Sequence, residues 1–200
     1  MSATDLLRDE DLIARIGCGD RDAFAELYRR RRPDVFRFAV FMSGSTMTAD
    51  DVTQDVFVEI IHHAKRYRAG RSGVMPWLFG IARNHVRRVQ QRMRPAVSLA
   101  DAEAVEARQL AVEDDLVAGL ARREDVNALR RAVLDLPVAY REAIVLCDLQ
   151  ELSYVDAAAA LNCAIGTVRS RLHRGRTLLA ARLRETGRSW FHAPFARGTP

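Results

Sequence analysis

Between Leu152 and Arg171 the residues LSYVDAAAALNCAIGTVRSR confine the backbone to two helices joined by a tight turn. Ser153, followed three positions on by Asp156, makes a capping box: the hydroxyl accepts from a free N–H of the first turn and the acid answers the positive helix end. Ala157, Ala158 and Leu161 then share one face, and the alanines are small enough to let a second helix pass close by. Asn162 stands where the chain must reverse. Glycine is the usual residue in that left-handed conformation, and asparagine tolerates it best among the others. The pattern is a helix-turn-helix.

The second of these helices separates its faces. Val168, Leu172, Leu179 and Leu183 recur at helical spacing and fit a core, while Ser170, His173, Arg174 and Thr177 lie opposite, flanked by Arg169 and Arg171. From Thr167 to Arg184 there are six arginines and no acid. Thr167 is placed at the helix start, where free N–H groups suit a phosphate oxygen. The expected division is therefore Ser170, His173 and Arg174 on base edges, and Thr167, Arg169, Arg171 and Arg176 on the DNA backbone. A solvated basic face on a structural helix is the bland alternative; capping, turn, small residues and charge together favour DNA.

The 200 residues allow one large or two small domains, and 48% hydrophobic content is enough for proper cores. The formal charge is +5, carried almost wholly by arginine, with Lys65 the one lysine, so planar donors suited to phosphate predominate. The N-terminus has no basic-then-apolar leader and charges interrupt every apolar run, so neither export nor membrane insertion is expected, and a cytoplasmic location follows. Cys18, Cys147 and Cys163 lack paired metal spacing and are expected to be buried and reduced.

Upstream, the apolar residues again fall at helical intervals: Ala23, Phe24, Leu27 and Tyr28, then Val35, Phe36, Ala39 and Val40, then Val52, Val56, Ile60 and Ile61. Thr48 with Asp51 suggests a second capping box opening a helix through about His63; Gly70 to Pro76 then breaks the pattern before a helix from Trp77 to Arg94. That helix carries Arg83, Arg87, Arg88, Arg92 and Arg94 and no acid. Ser98 to Val126 is different, with eight acids against three arginines, and reads as a linker whose Ala-rich stretches could be partly helical. The expected architecture is all-α: an N-terminal helical bundle over residues 1–94, an acidic linker over 95–127, a helix-turn-helix domain over 128–184, and a tail over 185–200 holding Trp190, Phe191 and Phe195.

Three segments in order, DDVTQDVF (Asp50 to Phe57), PWLFGIARN (Pro76 to Asn84) and GTVRSRLHRGR (Gly166 to Arg176), resemble bacterial RNA polymerase sigma factors of the extracytoplasmic-function group of the sigma-70 family. The resemblance implies a first domain that binds the polymerase clamp and opens the −10 element, and a second that reads the −35 element. It assigns Asp51, Gln54, Asp55 and Phe57 to the polymerase-binding helix, with core and interface roles equally open for Phe57. The loop from Arg68 to Met75, including Arg71 and preceded by Arg66 and Tyr67, resembles the element that captures a flipped base, while Arg83, Asn84 and Arg87 are candidates for strand or duplex contact. Trp77 and Phe79 fit core packing better than stacking on bases. Implied partners are the polymerase core, through its clamp and flap, promoter DNA and an anti-sigma factor; no cofactor or metal is expected. Two departures stand out: Arg88 replaces an acid common four residues after the helix asparagine, and Ala164 replaces a proline common in the turn.

Two rivals remain at this stage. A self-sufficient helix-turn-helix regulator would dimerise on two half-sites, yet neither linker nor tail offers a heptad seam. An enzyme would need the cluster His62, His63, Asp51 and Asp55, but adjacent histidines diverge on a helix and form no recognised ligand spacing.

Overall fold

A computed structural model describes residues 7–68, 73–93 and 116–185, and the regular elements among them are all helical. The first four are α1 (Asp9–Gly17), α2 (Arg21–Ser43), α3 (Thr46–His63) and α4 (Val74–Met93). Asp20 caps α2 by accepting from the Ala23 N–H, and Gly44 ends it in the left-handed conformation, φ 78°. Ser45 then caps α3 by accepting from the Thr48 N–H at 3.2 Å. Thr48 is therefore inside the helix rather than its cap, because the glycine stop places a hydroxyl one turn earlier than the Thr48–Asp51 spacing suggests. Pro33 lies within α2, where it removes one helical donor; Leu27 and Val35, both fully buried, hold the two flanking stretches to the core.

α4 begins at Val74, three residues before the expected start at Trp77. Pro76 is compatible with this, since a first-turn N–H would have no intrahelical acceptor in any case. The bundle core carries an aromatic cluster, with Phe57 edge-on to Tyr28 and Phe24, and Phe38 against Phe79 at 5.2 Å.

The second group comprises α5 (Leu116–Leu134), α6 (Val138–Ile144), which runs on into a π-helical turn over Val145–Leu149, α7 (Tyr154–Leu161) and α8 (Ile165–Glu185). α5 reaches into the stretch expected to be linker; residues 94–115 and the tail from residue 186 onward, with Trp190, Phe191 and Phe195, lie outside the described residues. Ser153 accepts from the Asp156 N–H and donates to its carboxylate, and Asn162 adopts φ 50°, ψ 53°, so the helix-turn-helix forms as its residues dictate. α8 opens at Ile165, placing Thr167 in its first turn. Gly175 lets α8 lie against α6: a Cβ there would sit 3.0 Å from Ile144 Cγ1.

The two groups pack on each other. α4 crosses α7 with Gly80 facing the Ala160 carbonyl, and α2 meets α5 and α6. The Met42 carbonyl at the end of α2 accepts from both Gln90 of α4 and Arg141 of α6. The cysteines are free, but Cys18 is exposed and Cys147 and Cys163 are only half-buried, against the expectation of three buried thiols. Cys18 follows the end of α1, outside the apolar helical patterns that shield the other two.

Candidate nucleic-acid interface

α8 sorts its residues as the helical period requires. Val168, Leu172, Leu179 and Leu183 are buried, and Arg169, Ser170, His173, Arg174 and Thr177 are exposed on the other side. Ser170 donates to the Thr167 carbonyl at 3.0 Å, and Arg169 lies over the Tyr154 ring at 6.0 Å, which holds its guanidinium beside the start of α7. Arg171 is half-buried. Arg176 is committed elsewhere. It donates twice to the buried Asp148 carboxylate, at 2.6 and 3.0 Å, and that hydrogen bond raises its already high pKa, so the pair stays charged and ties α8 to the π-helical turn. The sequence placed Arg176 with the phosphate contacts because its acid partner lies 28 residues away; the structure makes it a brace beneath the exposed face.

The second arginine-bearing helix, α4, presents Asn84 and Arg88 to solvent. Arg83 and Arg87, one turn apart, both turn to Glu142 of α6: Arg83 Nε donates to Oε1 at 2.7 Å, and Arg87 donates to the same carboxylate from Nε at 3.1 Å. Glu142 has no exposed surface. Arg66 and Arg68, on the segment after α3, are exposed; Arg71 lies outside the described residues. Tyr67 is half-buried with its ring 5.0 Å from Trp77, and burial, followed by the charges of Glu10 and Asp9, pushes its hydroxyl pKa up. Trp77 thus packs within the fold, and Phe79 is fully buried.

On α3, Asp51, Gln54 and Asp55 are exposed along one face. Phe57 is not among them. It is 2% exposed within the aromatic cluster, which settles its side chain in the core and removes it as a surface anchor. The same face instead exposes Val58 and Ile61, each 52% accessible, at the i+7 and i+10 positions from Asp51. Sequence spacing had assigned Ile61 to the core with Ile60; at about 100° per residue Ile61 falls nearer Gln54 and Val58 than the buried arc of Val52, Val56 and Ile60, and it lies on the exposed face. His85 of α4 reaches across to Glu59 at 2.7 Å and Asp55 at 3.3 Å, orienting the acidic edge of this face. Among the described residues no group of histidine, cysteine and acid side chains is arranged to hold a metal ion.

Comparison with known proteins bears on both halves. Residues 27–94 match the family model for sigma-70 region 2, and residues 127–179 match that for sigma-70 region 4. The chain is 30% identical to the extracytoplasmic-function RNA polymerase sigma factor SigW of Bacillus subtilis, over 86% of this chain and 95% of that protein. It is 34% identical to the sigma factor SigC of Mycobacterium tuberculosis, over 82% and 84% respectively. Among solved structures it is similar to CnrH in complex with the cytosolic domain of CnrY, with a TM-score of 0.67 and 25% identity, covering 88% of this chain and 97% of that one. It is also similar to the sigma factor RpoE of Bartonella quintana in complex with the anti-sigma factor NepR, with a TM-score of 0.64 and 28% identity over 80% and 96%. With both regions matched in order on two helical domains, the chain belongs to the extracytoplasmic-function group of the sigma-70 family, the factors that direct RNA polymerase to promoters.

Proposed function

We propose that the exposed face of α3, with Asp51, Gln54 and Asp55 around Val58 and Ile61, docks on the polymerase clamp, where a small apolar patch within an acidic rim suits a basic partner surface. Arg66, Arg68, Asn84, Arg83 and Arg87 then engage the −10 strand, and Tyr67 supports the loop rather than stacking freely. Arg174, His173 and Ser170 read the −35 element from α8, with Thr167, Arg169 and Arg171 on phosphates. The observation that carries this reading is the clean separation on α8, where the four leucine and valine positions are buried and the polar set is open. The polymerase fixes the distance between the two DNA-binding helices, so each weak contact raises the effective concentration for the next. The reading places the protein in the cytoplasm and, because similar factors are solved with anti-sigma partners, gives it an inhibitory protein partner of that kind. Transcription reconstituted with core polymerase tests the assignment. Arg174→Ala should lower use of promoters according to their upstream element by about 5- to 100-fold, the value of one bidentate base contact. Unchanged promoter selection would remove Arg174 from the reading face.

A further inference from the structure

We infer that Tyr154, the first residue of α7, is a positioning residue for DNA binding: its ring holds the Arg169 guanidinium ready for a phosphate, and its hydroxyl is turned inward rather than to the duplex. This rests on the proposed phosphate contact of Arg169. The placement begins with the capping box, since the bonds of Ser153 to the N–H and carboxylate of Asp156 fix the first turn of α7 and with it the backbone of Tyr154. The Tyr154 side chain is half-buried against the core, and the exposed Arg169 lies over its ring at 6.0 Å. At the far end of the ring the hydroxyl meets the Arg176 guanidinium, whose charged form is favoured first by Asp148 and then by Tyr154. Asp148 grips Arg176 twice from the π-helical turn, which closes through the Gln150 N–H on the Val145 carbonyl. Three contacts thus run in series from a buried carboxylate to an exposed cation: Asp148 to Arg176, Arg176 to Tyr154, and Tyr154 to Arg169.

An exposed arginine gives up rotamer freedom when it binds, and one already laid on an aromatic ring has given up part of it beforehand. Arg174 supplies the contrast: it is exposed on the same helix and has no ring beside it among the described residues. A cation held on a ring at a solvent-exposed site corresponds to roughly a 2- to 5-fold gain in affinity. Because a phosphate is the same at every base pair, that gain carries no sequence information. Tyr154 therefore strengthens attachment to the −35 duplex without altering which sequence is preferred.

The test uses holoenzyme reconstituted from the full chain and core polymerase, with a fluorescein-labelled duplex promoter fragment that this enzyme transcribes, read by anisotropy. Tyr154→Leu should weaken binding by roughly 2- to 5-fold, equally for the fragment's own −35 sequence and for one with a substituted base pair. Tyr154→Phe, which keeps the ring, should bind as the unsubstituted chain does. In an Arg169→Ala background Tyr154→Leu should cost nothing further, because the two changes remove the same contact. Proton resonances of the free chain give a second reading: the Arg169 δ-methylene should be shifted upfield by the ring, keep that shift in Tyr154→Phe and lose it in Tyr154→Leu. If Tyr154→Leu weakens binding as much without Arg169 as with it, or changes base preference, Tyr154 acts by its own DNA contact or through the tilt of α8, and the positioning role is refuted. Unchanged binding by a folded Tyr154→Leu refutes it too, and an unshifted Arg169 in the unsubstituted chain does so even where that variant fails to fold. If Arg169→Ala itself leaves binding unchanged, the phosphate role of Arg169 fails, and the role of Tyr154 falls with it.

Discussion

Replacing Gly175 by alanine sets two physical effects of opposite sign against each other in the middle of α8. Helix propensity alone makes the change stabilising by about 0.8–1 kcal/mol, because glycine loses more backbone freedom on folding. The surroundings argue the other way. The new Cβ would stand 3.0 Å from Ile144 Cγ1, 3.4 Å from Ile144 Cδ1 and 3.4 Å from Tyr140 Cβ. Ile144 is fully buried and stiff at its branched Cβ, and the Tyr140 Cβ is fixed to the α6 backbone, so relief requires α8 to move off α6. Overpacking of this kind costs typically about 1–3 kcal/mol, and with two rigid neighbours the upper half of that range applies. The net expectation is a loss of about 1–2 kcal/mol, or a fall in Tm of roughly 5–15 °C for a domain of this size. Gly166, in the first turn of the same helix, has nothing within 4 Å of its would-be Cβ. Gly166→Ala should therefore raise Tm slightly, by the few tenths to about 1 kcal/mol that reduced unfolded-state freedom gives. Calorimetry on both variants reads the signs directly. Equal and positive shifts would show that α8 is free to adjust against α6 and would refute the packing argument.

Phe57→Ala should cost about 3–5 kcal/mol through the cavity it leaves among Phe24 and Tyr28, so any loss of polymerase binding would follow loss of folded protein. Val58→Asp and Ile61→Asp should leave Tm within about 0.5 kcal/mol, as exposed substitutions do, yet reduce co-purification with core polymerase; retained binding in both would move the docking face elsewhere. Burial, with the Asp148 charge second, pushes the Cys147 thiol up to about 12. The folded state therefore favours the protonated form, and the stability this linkage supplies is complete below the ordinary thiol pKa and fades as pH rises from there towards 12. At pH 8 a maleimide should modify the exposed Cys18 quickly and Cys147 only on unfolding; peptide mapping that found both modified at one rate would contradict the burial.

Local signals carried the helix-turn-helix almost unaided. Ser153 capped its helix, Asn162 took the left-handed turn and the alanines packed, because each of those outcomes depends on residues within one or two turns of chain. The boundaries of α3 and α4 were less legible: Ser45 outcompeted Thr48 as a cap, and Pro76 was read as a break when the first turn of a helix accepts it. Apolar spacing also grouped Ile61 with Ile60, although Ile61 lies at the edge of the helix's apolar arc, where exposure depends on what packs beside it.

The side chains hardest to place from sequence were the arginines, and the reason is electrostatic rather than conformational. A run such as Arg29 to Arg32 or Arg83 to Arg88 announces positive charge, but whether a given guanidinium faces DNA depends on acids remote in the chain. Arg30 and Arg31 are taken up by Asp9 of α1, Arg176 by Asp148, and Arg83 and Arg87 by Glu142, 59 and 55 residues away. Asp9, Asp148 and Glu142 are each buried, and a buried carboxylate without cations would be strongly disfavoured, so the fold recruits these arginines to make its own acids tolerable. Arg30, Arg31 and Arg176 meet acids of their own helical group. Glu142 differs in drawing its cations, Arg83 and Arg87, from the other domain, so neither arginine's partner could be inferred from the residues around it in the chain.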